Sequence, residues 1–253
     1  MNPWWIAAPT VVSGMAGMTA YAAVNSRAQL FGHALSTTNS PRKLALTFDD
    51  GPNPSITPKL LDLLDHYKAK ATFFVVGRFA RECPELLKEI HARGHDIGNH
   101  TETHPNLFFC GRGETSTELL RCSETIESAL FELPRFFRPP FGYRSPWLSE
   151  IVHGQNMQMV TWSLLPGDWR GKPVEWLTGR MQRIADNARL NPAEKAIHRR
   201  KPEGEILCLH DGNYVHQNGD RSVTLAALKY WLPRWHDLGL EFVTMTEAGR
   251  DSG

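Results

Sequence analysis

Hydrophobic and polar positions along the chain switch period repeatedly, and each switch marks a strand or a helix. Lys43 to Phe48 is a β-rich apolar run that predicts the first strand. Thr57 then has the chemistry of an N-cap, with Pro58 at the first helical position and Leu60, Leu61, Leu64 and Tyr67 forming one apolar face. Ala71 to Val76, with Phe73, Phe74, Val75 and Val76 in succession, is too uniformly apolar for a half-exposed strand and predicts burial on both faces. A helix over Pro84 to Arg93 turns Leu86, Leu87 and Ile90 inward and ends at Gly94, a residue suited to positive φ. His95 to Asn99 predicts a strand, Glu114 to Leu133 a long helix, and Phe136 to Arg138 and Met157 to Trp162 two further strands. Ile206 to His210 and Glu241 to Met245 complete the set, with Leu225, Leu228, Trp231, Leu232 and Trp235 marking the helix between them. About seven strand–helix repeats of this kind specify an α/β domain with parallel strands.

The regular pattern occupies 43–250. Segment 170–204 is its least regular part: a helix over Val174 to Ala188, then a polar, basic stretch from Asn191 to Gly204, together read as a surface insertion. Residues 1–26 carry no charged side chain, and Trp4 to Val24 is mostly apolar, close to the ~20 residues that cross a bilayer. A cleaved signal peptide, with Ala20-Tyr21-Ala22 as the cleavage site, and an uncleaved membrane anchor both remain open, as does a buried helix. Either of the first two implies an extracytoplasmic address and, for the anchor, membrane association. Residues 27–42 read as a linker.

Composition narrows the field of partners. With 28 Lys+Arg against 27 Asp+Glu, the formal charge of +1 supplies no basic field to hold a phosphate backbone, so nucleic acid is excluded as an expected partner. Cys83, Cys110, Cys122 and Cys208 show no CxxC spacing, which argues against a zinc ribbon or a thioredoxin-like centre. They pair as disulfides or remain buried free thiols, with Cys208 in an apolar run reading as core.

The polar residues of interest sit at strand ends, where α/β domains gather their active sites. Thr47-Phe48-Asp49-Asp50-Gly51-Pro52 closes the first strand; two adjacent carboxylates are costly unless a cation or an arginine offsets them, though the same residues also make turns. Strand alternation would send the two side chains to opposite sides. His100 and His104 converge if the segment between them turns like a helix, and neutral imidazole suits zinc, cobalt or nickel. With one Asp from the first strand they make a three-donor set that leaves positions open, as a catalytic cation site requires. His210, after four apolar residues, is held at a strand tip suited to proton transfer; the other eight of 11 histidines lack such a setting. Arg138-Pro139-Pro140-Phe141-Gly142 is a stiff loop that fixes Arg138 for a carboxylate and the Phe141 amide for an oxyanion, or simply ends a strand. Asp168-Trp169 adds an acid and an aromatic that either stacks on a sugar or caps the core.

Taken in order, TFDDGP at 47–52, HTETH at 100–104, RPPFG at 138–142, DW at 168–169 and LCLHD at 207–211 resemble the five motifs of the NodB-homology polysaccharide deacetylases, carbohydrate esterase family four. The resemblance implies a distorted (β/α) barrel and one divalent metal, usually zinc, on Asp50, His100 and His104. It also implies Asp49 as base, His210 as acid, Arg138 orienting the base, Asp168 tuning the acid and the Phe141 backbone amide as oxyanion donor, with Pro139 and Trp169 against the substrate. Two positions depart from the family pattern: Leu165 stands where an additional Asp is common, and Phe141 where Tyr is frequent. The expected reaction is N-deacetylation of an N-acetylglucosamine polymer, peptidoglycan or chitin-like; O-deacetylation of a polysaccharide such as acetylxylan is the alternative, and a catalytically silent sugar-binding module the distant one.

Overall fold

The structure is a computed structural model that describes residues 27–190 and 203–249, together with Tyr21 and Asn25. In chain order its elements are β1 (Thr37–Thr38), β2 (Lys43–Gly51), α1 (Thr57–His66), β3 (Thr72–Val75), α2 (Gly77–Glu82), α3 (Pro84–Ala92), β4 (Asp96–Asn99), α4 (Arg112–Leu130), β5 (Phe136–Phe137), α5 (Leu148–Gly154), β6 (Gln158–Met159), α6 (Val174–Arg189), β7 (Gly204–His210), α7 (Ser222–Asp237), β8 (Glu241–Val243) and α8 (Met245–Ala248). The sheet runs β1-β7-β2-β3-β4-β5-β6, with β8 added beside the first half of β2. Strands β2 to β8 pair in parallel, as the apolar runs predict, and the sheet curls until a single parallel bridge, Leu164 to Leu207, joins its far end to β7. This is the expected distorted (β/α) barrel.

Every residue of β2 and β3 is buried, because helices cover one face of the sheet and the barrel interior fills the other. Leu60, Leu61 and Leu64 of α1, Leu87 and Ile90 of α3 and Leu228, Leu232 and Trp235 of α7 join Leu44, Leu46, Phe48 and Phe73 in one core. Gly94 ends α3 at φ +78°, the left-handed conformation expected of it. Helix α1 begins one residue off expectation: Ile56 is the N-cap, and Thr57, the first helical residue, uses its hydroxyl to accept from the Asn53 N–H and to donate to Asp211.

Two boundaries need correction. The linker read over 27–42 is part of the barrel: Phe31 and Ala34 are buried, Leu35 exchanges backbone hydrogen bonds with Met159 and Thr161, and β1 pairs antiparallel with β7. Backbone pairing of a short polar segment leaves no side-chain period to read. The first half of the surface insertion, α6, is a core helix that buries Leu177, Met181, Ile184 and Ala185, while the Trp231 indole of α7 donates to the Thr178 carbonyl at 3.0 Å. Leu177→Ala is therefore expected to cost roughly 2–5 kcal/mol. An unfolding free energy from urea titration within about 0.5 kcal/mol of the parent's would instead return α6 to the surface.

The basic stretch 191–202 and nearly all of the apolar 1–26 lie outside the described residues, and among the described residues no helix is long and apolar enough to cross a membrane. All four cysteines are free, Cys83 partly exposed and the other three buried.

Candidate active site

Strand β2 carries Asp49 and Asp50 out of the sheet, and the alternation expected of a strand fails there. Asp50 adopts φ +71°, and the pairing with β3 slips between Asp49 and Gly51, so Asp50 is the extra residue of a bulge. Both carboxylates consequently line the same cavity. Glycine permits the close approach of the neighbouring strand end: a Cβ on Gly212 would lie 2.1 Å from the Asp50 carbonyl oxygen.

His100 and His104 converge, but without the helical turn expected. Thr101 and His104 take positive φ, +69° and +62°, and bend the segment back on itself. The bend is held by Asn99 Oδ1 accepting from the Thr101 N–H and by Thr101 Oγ1 accepting from the His104 N–H. Together with Asp50 and Phe141, these are four of the seven non-glycine residues at positive φ among the described residues, so backbone strain concentrates where the polar side chains meet.

The donor atoms of Asp50, His100 and His104 lie within 4.8 Å of one another, and their protonation fits a cation. A carbonyl only accepts, so the 2.7 Å contact from His100 Nδ1 to the Arg138 carbonyl fixes the proton on Nδ1 and turns the Nε2 lone pair inward. That Nε2 lies 3.6 Å from Asp50 Oδ1, and His104 Nε2 lies 3.2 Å from it. Asp50 Oδ1 is nevertheless buried with no hydrogen bond. Burial pushes the His104 pKa below its usual value, which favours neutral imidazole. Burial would raise the Asp50 pKa, but His100 and His104 beside it hold the carboxyl far below its usual range. Three donors that converge on one another and leave Asp50 Oδ1 buried without a hydrogen bond are a set that a cation completes.

Two further carboxylates are each tied to a basic partner. Arg138, fully buried, donates from Nη1 to Asp49 Oδ1 and Thr47 Oγ1, both at 2.7 Å, and from Nη2 to the Thr161 carbonyl at 2.9 Å. The other Asp49 oxygen, Oδ2, accepts from the Cys208 thiol at 3.3 Å. Across the cavity Asp168 Oδ1 meets His210 Nδ1 at 2.8 Å, while Asp168 Oδ2 accepts from the His210 backbone N–H and from Thr224 Oγ1, each also at 2.8 Å. Burial alone would lower the His210 pKa; the charge and hydrogen bond of Asp168, then Asp50 and Asp49, overcome it and hold His210 at about 9. A protonated imidazole and a carboxylate therefore face one pocket.

That pocket encloses about 330 Å³, and Phe141, Tyr143, Trp162, Leu165, Trp169 and Tyr214 are its apolar walls. Tyr214 stacks on His104 at 4.3 Å between ring centres and Phe141 meets the same imidazole edge-on at 4.7 Å, while Trp169 covers His210 at 4.9 Å. Leu165 puts a hydrocarbon on the wall. Pro139 does not fit its expected place as a substrate contact: it is buried, is absent from the wall, and its carbonyl accepts from the Gly142 N–H to shape the Phe141 turn. Tyr214 and Trp162 were missed by sequence reasoning, which offers only an aromatic shortly after His210 as a signal for the first. Cys208, read as core, is buried but also faces the pocket.

A barrel whose strand tips bring a cation-binding set together with an arginine-held carboxylate and a carboxylate-held histidine defines a hydrolase of the acyl-transfer kind. Residues 36–160 match the family model of the polysaccharide deacetylases. The chain is 35% identical over 211 residues to a chitooligosaccharide deacetylase of Azorhizobium caulinodans, a match covering 81% of this chain and 93% of that one. It is likewise 35% identical to a peptidoglycan-N-acetylglucosamine deacetylase of Bacillus cereus, covering 84% and 90%. Among solved structures, the Bc1960 peptidoglycan N-acetylglucosamine deacetylase superposes with a TM-score of 0.70 at 30% identity, covering 87% of this chain and 93% of that one. The family 4 carbohydrate esterase from Streptomyces lividans, in complex with acetate, superposes at 0.67 and 25% identity, covering 85% and 98%. The chain belongs to the NodB-homology polysaccharide deacetylases, carbohydrate esterase family four, and is a hydrolase acting on amide bonds.

Proposed function

We propose that this deacetylase hydrolyses N-acetyl groups of a polymer containing N-acetylglucosamine, peptidoglycan or chitin-like, and that it does so with one divalent cation, zinc, on Asp50, His100 and His104. The observation that carries the reading is the pairing of Asp49 with Arg138 on one side of the cavity and of His210 with Asp168 on the other. A cation on the three donors would supply Lewis acidity, polarising the acetyl carbonyl and easing ionisation of water.

Asp49 takes the proton of the attacking water, and Arg138, buried and bonded to Asp49 Oδ1, fixes the direction of the remaining Oδ2 lone pairs. The Phe141 backbone N–H, set by its left-handed turn, donates to the oxyanion as the carbonyl becomes tetrahedral. His210, with its ring held at Nδ1 by Asp168, passes the Nε2 proton to the departing nitrogen, so that acetate and a free amine separate. Trp169 and Tyr214 supply flat apolar faces of the kind that pack on a pyranose ring. The uncharged N-terminal residues support an extracytoplasmic address, where such polymers lie.

Acetate release from chitin oligosaccharides, peptidoglycan and acetylxylan is the test, run on protein whose metal content has been measured. Release from the first two, with about one divalent ion per chain, is the expected outcome. Release from acetylxylan alone would move the activity to ester cleavage.

A further inference from the structure

The cavity contains a second set of donors beside the first. Asp49, Cys208 and His210 also bring one atom each to within 4.8 Å of one another. The Asp49 Oδ2 to Cys208 Sγ separation of 3.3 Å is close to the ~3.5 Å edge of a tetrahedron built on the usual zinc–oxygen and zinc–sulfur bond lengths. Among the described residues nothing hydrogen-bonds His210 Nε2, and its Nδ1 is held by Asp168, the arrangement by which carboxylates orient metal-binding imidazoles. His100 Nε2, of the first set, lies 3.9 Å from Asp49 Oδ2, so the two sets share one wall. The position is reachable, since Cys208, Asp49 and His210 all line the open cavity. A sulfur donor is what distinguishes the second set: it selects soft, thiophilic cations, whereas Asp50, His100 and His104 offer only oxygen and nitrogen.

We propose that Asp49, Cys208 and His210 form an inhibitory site for a second, thiophilic divalent cation, which silences the enzyme by occupying its proton-transfer groups. Binding releases the Cys208 thiol proton and the His210 Nε2 proton to solvent as the bonds to the cation form, and leaves Asp49 Oδ2, Cys208 Sγ and His210 Nε2 as ligands rather than proton carriers. The inhibitory consequence rests on the proton-transfer roles proposed above; the binding itself does not.

Cadmium is the probe. The full chain as isolated, carrying Cys83→Ser to remove its partly exposed thiol, is titrated with Cd²⁺ while ultraviolet absorbance, bound metal and deacetylation are followed. The expected result is a sulfur-to-cadmium charge-transfer band that saturates at one added ion per chain without loss of the original metal, in step with inhibition. Cys208→Ala should abolish the band and raise the Cd²⁺ concentration for half-inhibition about tenfold or more, each protein scored against its own uninhibited rate. Cys208→Ser serves the same comparison if the alanine variant packs poorly. No band in the parent protein, or a band that survives Cys208→Ala, overturns the second site and leaves the function proposed above intact. A band that appears only as the original metal leaves, with one ion in total, overturns both the second site and the assignment of the first.

Discussion

Asp49→Asn is expected to retain its bound cation and to lose deacetylation by about 10²–10⁴-fold, the usual contribution of a positioned general base. The change is isosteric and leaves Asp50, His100 and His104 untouched, so the cation set keeps its three donors. What it removes is the basic oxygen: an amide oxygen can still accept from Arg138 Nη1, but the amide nitrogen then replaces Oδ2 on the side facing Cys208. Arg138 has no exposure, and its hydrogen bonds to Thr47 Oγ1 and the Thr161 carbonyl go to neutral acceptors, so the variant leaves a buried charge without its counter-ion. Breaking such a pair costs about 3–5 kcal/mol, and the rate must be measured well below the variant's melting temperature. The control that separates the two effects is metal content: an inactive variant with one ion per chain has lost the base, whereas an inactive variant without its ion has lost the site. Parent-like turnover would assign the base elsewhere.

Much of this site was legible in the sequence because its residues stand at the ends of strands that are buried on both faces. A run such as Lys43 to Phe48 has one reading, and the next two residues, Asp49 and Asp50, fall at the barrel mouth. The positions that were not legible are those where the backbone departs from regular geometry. Asp50 reaches the same pocket as Asp49 only because a bulge cancels strand alternation, and His104 meets His100 only because Thr101 and His104 turn left-handed. Nothing in residue type announces either. Helices α2, α5 and α8, of 6, 7 and 4 residues, are too short to display a period, and β1 has only two residues. The helix α6 is legible over Val174 to Ala188, but its burial is not: polar surroundings mask an apolar face that tertiary contact with α7 buries. Tyr214 illustrates a third limit, since its place over His104 depends on the loop after β7 folding back across the barrel mouth.

Asp168→Asn is expected to lower kcat/KM by about 10²–10⁴-fold and to move the alkaline limb of the pH profile toward lower pH. A group whose folded pKa is raised keeps its proton below that pKa and loses it as pH rises through it. With the His210 pKa held above its usual value by Asp168, the parent enzyme keeps its acid through neutrality and loses activity on the alkaline side. Burial, the largest influence on this imidazole, acts to lower its pKa, and Asp168 is the first of the groups that oppose it. The opposing charges of Asp50 and Asp49 would be offset by a bound cation, which leaves Asp168 as the group that keeps His210 protonated. Its replacement by Asn keeps an oxygen for the His210 backbone N–H and for Thr224 Oγ1, which both donate to Oδ2. The amide nitrogen then faces His210 Nδ1, a donor against a donor, and the ring can satisfy it only by giving up the Nδ1 proton. The surviving neutral tautomer carries its hydrogen on Nε2, where it is a far weaker acid than imidazolium. A leaving group that needs no proton bypasses this defect, so an acetyl ester of a nitrophenol should lose much less rate than an N-acetylglucosamine oligomer. Equal losses on both substrates would mean that Asp168 holds the pocket together rather than tuning its acid.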